Sequence, residues 1–290
     1  MRRLALLFLL GVFLLTASFQ VFSQTSDPIL VGAGDIADCQ DLTGAKATAA
    51  LLDSIPGTVF TAGDDAYPDG TDSNFNHCYD VTWGRFRSRT MPALGNHEYN
   101  IPNGMEYYNY FGPNVGTPRQ GWYSYNLGTW HIVVLNSNCG DVGCDTSSAQ
   151  YTWLVNDLAA NPTACSLAIW HHPLFCSSSG TTQPAMASFW QALANAHAEL
   201  VIAGHAHIYE RFGPQNALGQ ADLVNGIVEM VVCSGGESHG GFDTIQPNSL
   251  ARADSTYGVM QFTLHPTSYD FQFVHEAGAT FTDSGTIACH

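Results

Sequence analysis

The stretch "TAGDDAYPDG", Thr61 to Gly70, ends an apolar run in a glycine and two adjacent carboxylates, with a tyrosine three residues past the first. An apolar run that stops at Gly-Asp is the pattern of a buried strand passing into a loop. Four more runs finish alike: "ILVGAGD" (Ile29 to Asp35), "MPALGNH" (Met91 to His97), "SLAIWHH" (Ser166 to His172) and "ELVIAGH" (Glu199 to His205). Each is nearly continuous in apolar residues, as in a sheet covered on both faces. One Gly-Asp pair is ordinary turn punctuation. Five strand ends that each deliver Asp, Asn or His describe one convergent site, because ligands of such sheets bind beyond the carboxyl ends of the strands.

Between these runs lie helical patterns, "LTGAKATAALLDSI" (42–55), "AQYTWLVNDLAA" (149–160) and "PAMASFWQALANAHA" (184–198). Strands alternating with helices predict an α/β fold. Two later stretches read as hairpins, one turning near Gly128 and one near His265 to Ser268. Placed on a second sheet, they complete an αββα sandwich, two mixed sheets flanked by helices. No linker interrupts the span from Asp35 to His207, so residues 24–290 are expected to form a single domain.

The chain opens with "MRRLALLFLLGVFLLTASFQVFSQ", two arginines before an apolar run and then small and polar residues. That is the layout of a secretory signal peptide, expected over residues 1–23. It predicts a secreted or periplasmic protein without a membrane anchor. All 8 cysteines follow it and imply disulfides, Cys139 with Cys144 across "CGDVGC" being the local candidate. With 9 Lys+Arg against 25 Asp+Glu, the chain has no basic face for bulk nucleic acid. The one basic cluster, Arg85, Arg87 and Arg89, is expected to be a solvated face.

The candidate ligands Asp35, Asp64, Asn96, His171, His205 and His207 are oxygen and nitrogen donors with no thiolate, a set suited to iron, zinc or manganese. In "GHAH" (204–207), residues two apart on an extended segment would point the same way. In this order, Gly34-Asp35, Gly63-Asp64, Gly95-Asn96-His97, His171 and Gly204-His205-Ala206-His207 resemble the calcineurin-like metallophosphoesterase signature. Most members of that family carry D-x-H in the first motif, whereas this chain has Ala37 where the histidine would stand. The purple acid phosphatase branch meets the same deficit with a tyrosine in G-D-x-x-Y, and "GDDAY" supplies Tyr67.

The resemblance implies a two-metal site. Asp35, Asp64, Tyr67 and His207 would bind iron(III), and Asp64, Asn96, His171 and His205 a divalent iron, zinc or manganese ion. His171 is preferred to His172 because it stands at the family's His-x-Pro spacing; His172 is expected to support the site from behind. The ions would activate water for in-line attack on a small phosphate monoester, with His97 at the phosphoryl or leaving group and Glu98 orienting His97. His239, alone in a glycine-rich loop, is expected to be uninvolved, and Asp65 to face away into its loop. Alternatives are a phosphodiesterase or nucleotidase of the same superfamily, or a non-catalytic metal- or phosphate-binding module.

Overall fold

The computed structural model describes residues 27–290, so the expected signal peptide lies outside the described residues. In chain order the first elements are β1 (Ile29–Ala33), β2 (Ala37–Asp38), α1 (Thr43–Leu52), β3 (Thr58–Thr61), β4 (Ala66–Tyr67), α2 (Asp72–Asn74), β5 (Thr90–Pro92) and α3 (Met105–Phe111). There follow β6 (Tyr123–Leu127), β7 (Trp130–Val134), α4 (Cys139–Val142), α5 (Ala149–Ala160), β8 (Cys165–Ile169), α6 (Ala187–Asn195) and β9 (Leu200–Ala203). The chain closes with β10 (Tyr209–Phe212), β11 (Val228–Val232), β12 (Ser249–Ala253), β13 (Gly258–His265), β14 (Ser268–His275) and β15 (Ser284–Ala288).

Two mixed sheets carry the fold, one ordered β15-β14-β13-β1-β3-β5 and the other β12-β10-β11-β9-β8-β7-β6. Within them β1, β3 and β5 run parallel, as do β7, β8, β9 and β11. The αββα sandwich is therefore the architecture, with one difference from the expected layout. The β6–β7 hairpin edges the second sheet, but β13 and β14 extend the first, β13 pairing antiparallel with β1. A strand pattern carries no record of which sheet it joins.

Side-chain alternation explains the apolar runs. Leu167 and Ile169 of β8 and Leu200 and Ile202 of β9 enter the core shared by the two sheets. Their neighbours Ala168 and Val201 join Phe189, Trp190 and Leu193 of α6 on the outer face. Both faces are covered, which is why the runs that lead to the strand ends are nearly all apolar.

On the opposite side α1 buries Ala45, Ala49 and Leu52, one helical face, and Arg89 donates to the carbonyls of Leu52 (3.0 Å) and Ile55 (3.1 Å) beyond its last turn. Arg85 pairs with Asp53 at 2.7 Å and Arg87 lies over the Tyr110 ring. Arg85 and Arg89 thus clamp the end of α1, while Arg85 and Arg87 stay exposed to solvent as expected. Disulfides join Cys39 to Cys78, Cys139 to Cys144 and Cys165 to Cys289, while Cys176 and Cys233 are buried thiols.

Candidate metal centre

All five strand ends meet at one edge of the sandwich, where main-chain bonds link the sheets. Gly34 N–H donates to the Val232 carbonyl at 2.7 Å and Gly235 N–H to that of Gly34 at 3.0 Å. Behind β1 and β3 the chain turns sharply, Asp35 and Asp64 both taking left-handed backbone angles (φ 59° and 53°). Two glycines are required by close approach. A Cβ on Gly95 would lie 2.0 Å from Asp64 Oδ1, and one on Gly63, itself at φ +84°, 2.6 Å from His171 Nδ1.

The donors fall into two groups that share one atom. Tyr67 Oη lies 2.9 Å from Asp35 Oδ1, 3.2 Å from Asp64 Oδ2 and 3.3 Å from His207 Nε2. His171 Nε2 lies 3.0 Å from Asn96 Oδ1, 3.1 Å from Asp64 Oδ2 and 3.2 Å from His205 Nδ1. In each group at most one or two protons are available to join four lone-pair atoms. Donors bonded at about 2.1 Å to one ion and set at right angles stand about 3 Å apart, so the spacing fits a cation in each group. Asp64 Oδ2 belongs to both.

The distal nitrogens are oriented from behind. His171 Nδ1 donates to the Ala62 carbonyl (2.7 Å) and His207 Nδ1 to that of Ser238 (2.9 Å), which leaves each Nε2 free to ligate. Burial would depress both imidazoles, but the Asp64 and Asp35 charges outweigh it for His171, lifting it to about 10. The Asp35 hydrogen bond and charge do the same for His207, lifting it to about 9. His205 falls to about 4, through burial and the neighbouring His171. Burial, together with Asp35 and Asp64, drives the Tyr67 phenol well above its usual value.

Residues 26–209 match the family model of the calcineurin-like phosphoesterases. The chain belongs to the calcineurin-like phosphoesterase family. Among curated relatives, it is 27% identical over 225 residues to an Fe(3+)-Zn(2+) purple acid phosphatase of Arabidopsis thaliana, covering 68% of this chain and 46% of that one. It is 26% identical over 248 residues to a phosphoenolpyruvate phosphatase of Allium cepa, covering 74% and 51%. The chain thus spans about half the length of the curated relatives it matches. Its fold matches a purple acid phosphatase from yellow lupin seeds (TM-score 0.72, 18% identity, 91% of this chain and 54% of that one). It also matches GAP50, described as the anchor in the inner membrane complex of Plasmodium (TM-score 0.70, 14% identity, 92% and 90%). One fold therefore serves very different tasks, and function has to be argued from the site. Family and donor set together imply two metal ions.

Around this phosphoesterase centre three expectations need correction. Glu98 does not reach the His97 ring: its buried carboxylate accepts from the amides of Asp64 (3.1 Å), Asp65 (2.8 Å) and Gly95 (2.8 Å). His97 instead leans its Nδ1 on the Pro68 carbonyl, with Nε2 3.8 Å from Asp64 Oδ2. Neighbouring residues on a tight turn point to different sides, so adjacency in sequence did not bring the two side chains together.

Asp65 does not face outward. It is fully buried beneath the site, both carboxylate oxygens unpaired among the described residues, and burial with the charges of Glu98 and Asp64 lifts it well above the carboxylate range. "GHAH" is not extended either, since His205 and His207 sit at φ 80° and 53°. The turn aims the two rings apart, one at each donor group.

His172 has its Nδ1 2.9 Å from Ser137 Oγ and its ring 4.3 Å from that of His205, close enough to stand with His171 and His205 as a third possible donor. Ser137, and the carbonyls of Ala62 and Ser238, were not found from sequence. Main-chain acceptors leave no side-chain signal.

Proposed function

We propose that the chain is an exported phosphomonoesterase with a dinuclear site in a single catalytic domain, residues 24–290. Asp35, Asp64, Tyr67 and His207 would hold iron(III), and Asp64, Asn96, His171 and His205 a divalent iron, zinc or manganese ion. The observation that carries this reading is the Tyr67 hydroxyl, buried against Asp35, Asp64 and His207, its oxygen 2.9–3.3 Å from a donor atom of all three. A phenol held well above its ordinary value becomes a useful ligand only beside a strongly acidic cation, and iron(III) answers that need. The three disulfides and the N-terminal pattern support export.

Bound there, the ions would supply positive charge to the phosphoryl oxygens and acidify a water for in-line attack. The protein's own part is placement. Asp35 and Asp64 are locked by main-chain donors, His205 N–H to Asp35 Oδ2 (2.9 Å) and His97 N–H to Asp64 Oδ1 (2.9 Å), so neither carboxylate needs to reorganise as charge moves. His97, with Nδ1 engaged by Pro68 and its ring partly open to solvent, would present Nε2 to the phosphoryl group and donate a proton to the departing oxygen.

Elemental analysis, the visible spectrum and turnover of aryl monoesters against diesters test the reading together. Iron near one per chain, a colour lost in Tyr67→Phe and faster monoester hydrolysis are expected. A colourless active enzyme would replace iron(III) with two divalent ions, and a large excess of diester turnover would replace the monoesterase.

A further inference from the structure

His239 lies outside the donor groups, yet the residues on both sides of it are fastened to one of them. The Ser238 carbonyl accepts from His207 Nδ1 at 2.9 Å, and Gly240 N–H donates to the His207 carbonyl at 2.8 Å. The imidazole between them stacks on Tyr257, centroids 4.2 Å apart and planes 29° from parallel. Tyr257 rests against Gly44 at the start of α1, where a Cβ would lie 2.7 Å from its Cζ, so the ring packs directly on the helix backbone. Its own N–H donates to Glu276 Oε1 at 3.3 Å.

Both residues are partly buried, and neither the imidazole nitrogens nor the phenol oxygen has a hydrogen-bond partner among the described residues. A pair that served only the core would be covered, and one that served a polar network would be bonded. This one is a rigid, flat, unsatisfied aromatic face beside His207.

We propose that the stacked His239–Tyr257 pair is a leaving-group platform, which receives the aryl group of an aromatic phosphate monoester whose phosphoryl group sits at the donor cluster. The proposal rests on the monoesterase reading and names its substrate class. Carboxylates adjoin the pair, Glu276 at the Tyr257 backbone and Glu237 two residues before His239, so a leaving group bearing further phosphates would be repelled. An uncharged or cationic ring would not. Stacking of this kind is worth roughly three- to ten-fold in affinity.

The test uses metal-loaded wild type, His239→Ala, His239→Phe and Tyr257→Leu, each titrated calorimetrically with phenylphosphonate and methylphosphonate, which cannot be hydrolysed. The phenyl-to-methyl affinity ratio should fall about three- to ten-fold in His239→Ala and Tyr257→Leu and return in His239→Phe, which keeps a flat ring without the imidazole. A ratio unchanged in both loss variants overturns the platform, as does a wild type that binds neither phosphonate. A ratio that shifts as expected in a protein that hydrolyses no monoester keeps the platform and removes the monoesterase reading, so the two failures are distinct.

Discussion

The two sheets equip the centre differently. Asp35, Asp64 and Asn96 leave the ends of β1, β3 and β5 in the first sheet, whereas His171, His205 and His207 leave the ends of β8 and β9 in the second. The oxygen half is held by N–H donors, as carboxylates require, and the nitrogen half by carbonyl acceptors on the far ring nitrogens. Each half also has a buried glutamate pinning its loop. Glu98 gathers the amides of Asp64, Asp65 and Gly95, and Glu229 those of Leu174 and Phe175 just past His171 (2.9 Å each). The chain thus builds anchored oxygen donors on one side and aimed imidazoles on the other, and joins them at a single oxygen of Asp64.

Removing the joint should do most damage. Asp64→Ala should lose both ions and reduce kcat/KM by more than about 100-fold, the upper end for changes one layer farther out; elemental analysis and steady-state kinetics report it. If one ion stays at full occupancy, Asp64 is not shared.

Next in size is the pin of the oxygen half. Glu98→Ala leaves three buried amides unpaired, each worth about 1–3 kcal/mol, so urea unfolding should show a loss of several kcal/mol. Metal affinity should fall about 10- to 100-fold. An unshifted urea midpoint would mean that the loop holds itself.

The pin of the nitrogen half should differ in its pH signature. Burial lifts Glu229 from 4.5 to about 8 against the pull of its two amide bonds. A raised acid binds its proton more tightly in the folded state, so its contribution is present in full below about pH 4.5 and is lost as pH rises through about 8. The stability of Glu229→Gln should therefore decline less than that of wild type across this window, by an order of a few kcal/mol. Parallel stability curves would show the carboxyl to be ionised throughout.

The smallest effect is expected at Ser137, whose Oγ accepts from His172 N–H at 2.8 Å and lies 2.9 Å from His172 Nδ1. Ser137→Ala should cost about 1 kcal/mol of stability, read by thermal unfolding. Metal content should be retained if His172 only supports the donors; loss of an ion would make His172 a ligand.

Much of this was legible in the chain itself. The strand ends could be read because burial on both faces keeps the runs nearly all apolar up to the point where each strand stops. The same rule put Asp64 rather than Asp65 in register with Asp35 and His205. Ala37 and Tyr67 could be read as one compensating pair because family motifs fix their spacing. The arginine clamp on α1 and the Glu98 pin could not. They depend on partners some 32 to 37 residues away, as in Arg89 to Leu52 and Glu98 to Asp64, and local patterning carries no term for such a meeting.

The sequence alone determined which donors the chain owns and that they stand where strands stop, since periodicity and composition act within a few residues of each position. The tertiary structure alone decided which carboxylates are sealed from water, that "GHAH" turns so as to divide its two histidines, and that His239 meets Tyr257. Those outcomes depend on how two sheets close over each other, and contacts between distant segments are set by packing, which no short stretch contains.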